Sequence, residues 1–282
     1  MQSDVKILPL GKDTWQIQDG EGSSCIYLYL LAGDERAMLI DTGLWNIDAA
    51  GIARSLTAKP AFAVNTHGHL DHISANHQFD EAYLHPADED VFAQHSSYEV
   101  RLAFARGLMA EQGLPVSLLD EPPLREKTQR ACSLAQRENR KPLQDGMVFD
   151  LGGRHVRVVE TPGHTLGSVC LLDEENRWLF SGDTVCDQGV LLHFPHSAPV
   201  AAFLESIRKL QALSGQYDVI WPGHHRSPLE KEILRRYASC AQRLIQGEQG
   251  TPVTSAAGAA MLLSCEGIAL SVPIPENCQQ TR

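Results

Sequence analysis

The segment Thr66-His67-Gly68-His69-Leu70-Asp71-His72 constrains this chain more than any other stretch of it. Four side chains able to ligate a metal fall within six residues, shortly after the apolar run Ala61-Phe62-Ala63-Val64, which reads as a buried strand. In an extended chain residues i and i+2 point to the same side, roughly 6.6 Å apart at about 3.3 Å per residue. His67 and His69 can therefore close on one cation, at metal–nitrogen distances of about 2.0–2.1 Å. Asp71 and His72 follow where the chain must bend, so they can address a second cation. Three imidazoles and a carboxylate make a borderline-soft set that suits zinc and accepts iron, manganese or cobalt. A lone histidine is ordinarily a solvated loop residue; four ligand types at this spacing are not ordinary loop composition.

Three further segments end a strand with a turn residue and a ligand. Thr161-Pro162-Gly163-His164 follows the alternating run His155–Glu160, and Pro162-Gly163 forces a turn that presents His164. Ser181-Gly182-Asp183-Thr184 follows Trp178-Leu179-Phe180, and Pro222-Gly223-His224-His225 follows Tyr217–Trp221. Ligands gathered from several strand ends are a rigid way to build a metal site.

In order and spacing these motifs resemble those of the metallo-β-lactamase-fold hydrolase superfamily: an Asp after the fourth strand, then His-x-His-x-Asp-His, His, Asp and His. Here they are Asp41 (in Leu39-Ile40-Asp41-Thr42-Gly43), the 67–72 cluster, His164, Asp183 and His224, and the resemblance spans residues 5–245. It implies that His67, His69 and His164 hold one metal, that Asp71, His72 and His224 hold a second, and that Asp183 bridges both. Asp41 would orient ligands without binding metal. The implied cofactor is two divalent ions, zinc first, with manganese or iron as alternatives. Asp71 and Asp183 are the implied catalytic carboxylates, orienting a metal-bridging hydroxide toward a small ester, thioester, lactone or related bond.

Departures from subfamily patterns narrow the function. Class B β-lactamases of this fold generally lack a carboxylate at the position of Asp183, and flavodiiron proteins usually carry Glu where His69 stands. Glyoxalase II and the persulfide dioxygenases usually show a Gly-Cys-Gly-Arg-like segment where this chain has Thr184-Val185-Cys186-Asp187-Gln188-Gly189. Lactonases tend to place Tyr where Cys186 stands. The chain resembles a general member of the glyoxalase II-like dinuclear hydrolase branch, with a mononuclear iron persulfide-dioxygenase-like enzyme as one alternative. Hydrolysis of a small phosphodiester, a sulfate ester or a β-lactam is another, and a non-catalytic binding protein a third. Degenerate members usually lose ligands, and none is missing here.

Composition supports a soluble enzyme: 282 residues with 43% hydrophobic content can bury a large core. The net charge of −11, with no basic stripe, weighs against nucleic-acid binding. The first residues show no basic start followed by an apolar stretch, so no signal peptide is expected, and the stretch 256–263 is too short to span a bilayer. A cytoplasmic enzyme with a small-molecule substrate is expected, without nucleic-acid or membrane partners and with a homodimer left open. Seven cysteines at 25, 132, 170, 186, 240, 265 and 278 include no C-x-x-C pair, which indicates neither a zinc knuckle nor a disulfide framework. Cys186, close to Asp183, is the one placed to line the site.

Two sets of strands are expected, 5–84 and 147–221. They suggest an α/β (α+β) chain: an αββα sandwich of two mixed β-sheets with helices on the outer faces. One domain over 1–282 is expected, carrying a helical insertion at 86–145 and a C-terminal extension at 250–282. In the insertion Val100, Phe104 and Leu108 recur at helical spacing; Pro122-Pro123 breaks the pattern and a charged helix resumes over 124–140. It could serve as a lid, a pocket wall or a subunit contact. The extension reads as a small-residue helix followed by a strand over 267–272. His193 and His196, in the loop after Asp183, could contact substrate or donate a proton, or could simply be solvated. His77, His85, His95 and His155 read as structural or exposed.

Overall fold

Short apolar runs punctuated by turns become strands almost where the sequence places them. The computed structural model describes residues 5–20, 22, 25–44, 47–111, 113, 115–135, 140–255 and 257–275. The chain divides into two compact units, Met1–Leu143 with Asp150–Gly153, and Gln144–Phe149 with Arg154–Arg282.

In the first unit β1 (Lys6–Pro9), β2 (Thr14–Asp19), β3 (Ile26–Ala32) and β4 (Ala37–Ile40) form an antiparallel meander. Then β5 (Ala61–Val64), β6 (Ala82–Leu84) and β7 (Arg140–Pro142) add in parallel, giving one seven-stranded sheet in chain order. Parallel pairing requires crossovers. The first is α1 (Ala49–Leu56), whose Gly51 N–H donates to the capping Asp48 carboxylate at 2.9 Å and whose Ala49, Ala50 and Ala53 face the core. The second contains α2 (Leu70–Ile73), a single turn that carries two expected ligands.

The third crossover is the insertion: α3 (Glu89–His95), α4 (Tyr98–Glu111) and α5 (Pro122–Ala135). Here the structure corrects two expectations. Pro122 and Pro123 open the second helix, α5, rather than precede it, because the missing N–H of proline costs nothing in the first helical turn. The charged helix is described as far as Ala135, and Arg140, the end of the expected helix, opens an edge strand, Arg140–Pro142. Val100 and Phe104 pack half-buried on the core cluster built from Ile17, Leu28, Leu30, Leu39 and Ala63, as the periodicity predicts.

The second unit continues with β8 (Val148–Asp150), β9 (His155–Glu160), β10 (Val169–Asp173), β11 (Trp178–Gly182), β12 (Val190–Leu191), α6 (Val200–Ala212), β13 (Val219–Pro222) and α7 (Ile233–Ile245). Strands β13, β11, β10, β9 and β8 form one sheet in that order. Because β10 is antiparallel to β9 and β11, and β13 is parallel to β11, β9, β11 and β13 all end at the same edge. Helix α6 buries Phe203, Leu204, Ile207 and Leu210, while α7 buries Ile233, Leu234, Tyr237, Cys240 and Ala241, each at helical spacing.

In the C-terminal extension the expected strand over 267–272 is found, as Ile268–Val272, but the expected small-residue helix is not. The extension is β14 (Thr251–Ser255), β15 (Gly258–Cys265) and β16 (Ile268–Val272), joined to β12 as a four-stranded sheet. Small residues favour a helix in isolation, but Ala260, Met261, Leu263 and Cys265 are buried and β15 is paired on both sides, so tertiary pairing decides the outcome. Cys278 lies outside the described residues. Among the described residues no helix is long and apolar enough to cross a membrane.

Candidate metal centre

In the first unit Asp41 follows the carboxyl end of β4 and the candidate ligands His67, His69, Asp71 and His72 follow that of β5, the usual location for sites on parallel sheets. Asp41 takes a left-handed backbone (φ 60°) straight after β4, a conformation that Asp tolerates better than most residues. This turns its carboxylate onto the β5 loop. Oδ1 accepts the Thr66 N–H at 2.8 Å, and Oδ2 accepts the Thr66 hydroxyl at 2.8 Å and His72 Nδ1–H at 2.7 Å. The Thr66 hydroxyl proton is thereby committed, so its oxygen accepts His67 Nδ1–H at 3.1 Å. Both imidazoles are left with Nε2 as a lone pair.

His67 Nε2 stands 3.1 Å from His69 Nδ1, and His72 Nε2 3.7 Å from Asp71 Oδ2. Two ligands arranged tetrahedrally on a zinc-sized ion are roughly 3.3–3.6 Å apart. The two pairs, at 3.1 and 3.7 Å, lie just below and just above that spacing, so small ring and carboxylate adjustments would seat an ion. His67, His69 and His72 are buried; Asp71 keeps a partly exposed carboxylate.

Residues that the sequence reading did not single out hold this arrangement. The His72 carbonyl accepts from Thr42 N at 2.8 Å and from Asn65 Nδ2 at 2.7 Å. The Gly68 N–H donates to Asp88 Oδ2 at 2.8 Å, and a Cβ at residue 68 would lie 3.0 Å from the Asp88 carbonyl oxygen and 3.1 Å from Phe92 N. Gly68 is thus what lets the start of α3 approach between the two histidines. His95, read as structural or exposed, is half-buried with its ring stacked on His69 (centroids 4.7 Å, 29°), and its Nδ1 accepts the Leu70 N–H at 3.3 Å.

In the second unit His164, Asp183 and His224 follow β9, β11 and β13 at the shared edge. His164 Nδ1 donates to the Leu191 carbonyl at 2.8 Å, leaving Nε2 as the lone pair. Asp183 Oδ2 lies 3.6 Å from His164 Nε2 and 3.5 Å from His224 Nε2. One carboxylate oxygen between two imidazole nitrogens at ligand–ligand spacing is the placement a bridging carboxylate needs. Gly163 keeps the His164 turn against α6, since a Cβ there would meet Phe203 Cδ2 at 2.6 Å. Asp187 anchors the other turn: its carboxylate accepts the Arg226 N–H at 3.1 Å and faces His225, whose pKa is lowered by burial and by His224.

The three residues considered for substrate contact have distinct placements. Cys186 is buried, its thiol directed at the Gly182 carbonyl at 3.8 Å and its pKa pushed well up by burial and by Asp183. It is a neutral packing group under the Asp183 loop, with its own carbonyl held by Tyr237 of α7. His193 has both nitrogens engaged, Nδ1 with Ser271 Oγ at 2.8 Å and Nε2 with the Ala257 carbonyl at 2.9 Å, so it ties its loop to the C-terminal sheet. His196 stacks on Phe194 (5.3 Å, 15°), whose ring also meets His164 edge-on at 5.9 Å.

Known proteins place this architecture. The family model described as the metallo-beta-lactamase superfamily matches residues 21–224. The acyl-coenzyme A thioesterase MBLAC2 of Gallus gallus is 30% identical over 244 residues, which cover 82% of this chain and 84% of that protein. The probable polyketide biosynthesis zinc-dependent hydrolase BaeB of Bacillus velezensis is 34% identical over 82 residues, 29% of this chain and 36% of that protein. Among solved structures, the metallo-beta-lactamase family protein TTHA1429 of Thermus thermophilus superposes with a TM-score of 0.62 at 22% identity, covering 84% of this chain and 82% of that one. The expected αββα fold class is borne out by that likeness. The chain belongs to the metallo-β-lactamase superfamily and is a metal-dependent hydrolase of that fold.

Proposed function

We propose that this hydrolase is a dinuclear thioesterase acting on acyl thioesters of the coenzyme A class. In this reading His67, His69 and His164 would hold one divalent ion, Asp71, His72 and His224 would hold the other, and Asp183 would be shared by both. The observation that carries the two-ion reading is Asp183 Oδ2 standing 3.6 and 3.5 Å from the Nε2 atoms of His164 and His224. The relative named as an acyl-coenzyme A thioesterase, aligned over 82% of the chain, supports the substrate class. The donor set fits the ions: imidazoles with Nδ1–H already donated, and carboxylates, suit zinc ahead of harder cations.

When bound, divalent ions supply Lewis acidity for a carbonyl oxygen and acidify water near neutral pH. The chain's own residues do the rest. Asp41 fixes His72 in the tautomer that presents Nε2, and Thr66 does the same for His67. Asp71, whose carboxylate is partly exposed, would take up the proton released by water. A thiolate leaving group requires little protonation, because thiol pKa values lie near 8.5. A thioesterase therefore needs no dedicated proton donor, in keeping with the engagement of both His193 nitrogens. A cytoplasmic setting belongs to the same reading, and the net charge of −11 supports the absence of nucleic-acid partners.

The test is elemental analysis of zinc-loaded protein together with a substrate panel. About two ions per chain are expected, with kcat/KM for acyl-coenzyme A thioesters above that for lactones, phosphodiesters, sulfate esters and β-lactams. One iron per chain, with no zinc gained on reconstitution, would favour the dioxygenase alternative. A dominant rate on another panel member would reassign the substrate.

A further inference from the structure

Arg101 is the largest fully buried side chain in the described structure, at 1% exposure, and it stands on α4 within the helical insertion. Its apolar neighbours in the periodic stripe, Val100 and Phe104, are only half-buried. Burying a guanidinium is costly unless its donors are used. Two are. Nη1 donates to Ser74 Oγ at 2.7 Å, and Ser74 Oγ in turn donates to the Leu70 carbonyl at 2.5 Å. Nε donates to the His95 carbonyl at 3.0 Å, and His95 Nδ1 accepts the Leu70 N–H at 3.3 Å. The third nitrogen, Nη2, has no partner among the described residues. Burial lowers the guanidinium pKa, and the charges of Cys132 and Asp71 oppose that shift.

The two routes meet on one element. Ser74 and the Leu70 carbonyl belong to the turn α2 and its cap; the Leu70 N–H opens that turn; Asp71 and His72 lie within it. His95, held by its carbonyl, also stacks on His69. We propose that Arg101 is a positioning residue for the metal centre, gripping the Asp71–His72 turn through Ser74 on one side and through His95 on the other. The insertion then takes part in metal retention. This rests on the metal-ligand reading above and not on the thioester assignment.

The test measures metal affinity in the full-length protein, independently of turnover. Apo wild type, Arg101→Lys, Arg101→Met and Ser74→Ala are titrated with zinc against a chromophoric chelator, and the cobalt(II)-loaded forms are compared by visible absorption. Loss of an outer hydrogen-bond partner typically weakens metal binding about 10–100-fold. Both Arg101 variants should show a loss of that size in the weaker binding step, with an altered cobalt spectrum. Lysine should not rescue, because an ammonium point charge cannot make the two-pronged contact of the guanidinium fork. Ser74→Ala should shift affinity in the same direction by less. Wild-type affinity and a superimposable spectrum in all three variants would overturn the proposal. So would full retention in Arg101→Lys with loss only in Arg101→Met, which would make charge rather than geometry the cause. If Arg101→Met fails to fold, Ser74→Ala and Arg101→Lys decide the matter.

Discussion

Replacing Asp41 by Asn tests how strictly the ligand tautomers are set. Asparagine keeps the shape and tolerates the left-handed backbone at φ 60°. Its hydrogen-bonding capacity does not match. Three donors converge on the carboxylate: Thr66 N–H and hydroxyl at 2.8 Å each, and His72 Nδ1–H at 2.7 Å. An amide offers one oxygen, so one position becomes an NH₂ facing a donor. If that NH₂ faces His72, the imidazole must turn over to the Nε2–H tautomer, and the lone pair meant for a metal is lost. If it faces Thr66 N–H, a buried donor is left unsatisfied. Asp41 and His72 are both buried, so water offers little relief. The charge-assisted bond removed is worth about 1.5–3 kcal/mol. Asp41→Asn should therefore lower the stability of the apo protein by about that amount and weaken metal binding by about 10–100-fold. Thermal unfolding of the apo form reads the first effect, and zinc competition titration the second. An Asp41→Asn protein with wild-type zinc affinity and unchanged turnover would refute the tautomer argument.

Asp183→Ala should reduce bound metal from about two ions per chain to one or fewer and remove most activity; elemental analysis that still finds two would show that Asp183 does not bridge. Gly68→Ala should cost roughly 1–3 kcal/mol through overpacking, since the new Cβ would lie 3.0 Å from the Asp88 carbonyl oxygen and 3.1 Å from Phe92 N; an unchanged denaturation midpoint would mean that α3 gives way freely. Glu81 is paired with Lys141 and Arg36, which pull its pKa down to about 2 from 4.5. An acid depressed in the folded state adds stability that is present above the ordinary value and lost as pH falls through the depressed one. The difference in thermal midpoint between wild type and Glu81→Gln should therefore be present at neutral pH and close between about pH 4.5 and pH 2, remaining small because the pair is near the surface; a gap that widens on acidification would reverse the sign.

What the sequence discloses is what local pattern controls. Strands β5 and β9 fall on the runs Ala61–Val64 and His155–Glu160, and β11 begins on Trp178-Leu179-Phe180, because each run is bounded by turn residues. The seven candidate ligands are legible because each follows a strand and a turn within a few residues. Features fixed by distant pairing are not legible. His193 meets partners 78 and 64 positions away, so nothing in Leu192-His193-Phe194 could show that both its nitrogens are engaged. The segment 258–265 is extended because β14 and β16 flank it, against the helical bias of its alanines. Arg101 was hidden for a different reason: a charged residue beside an apolar stripe reads as solvent-facing, and only the three-dimensional placement of Ser74 and His95 gives its donors a destination. One signal did exist for the groups around the ligands. Asn65 and Thr66, polar residues directly after a buried strand, had to spend their side-chain hydrogen bonds locally.

The same hydrogen bonds explain why metal selectivity and catalysis can share this scaffold. His67, His72 and His164 each donate Nδ1–H to an acceptor that is itself fixed: the Thr66 hydroxyl, the Asp41 carboxylate and the Leu191 carbonyl. Each acceptor lies on or directly after a strand, so the rings are oriented by the fold and not by an ion. A site oriented in advance loses little conformational freedom when it binds, and its geometry is retained when a ligand position must be shared with substrate. The strain at Asp41 (φ 60°) follows from this logic, because the reversed backbone is what lets one carboxylate reach both the β5 loop and the α2 turn. Asp71 is the exception. Its partly exposed carboxylate and looser 3.7 Å spacing from His72 Nε2 set it apart from the tightly held imidazoles. A group that must handle a proton during each turnover has to exchange with water, while the groups that only hold metal do not. On the proposed function, this difference in burial sets Asp71, the carboxylate proposed to take up a proton, apart from the three histidines proposed to keep the geometry.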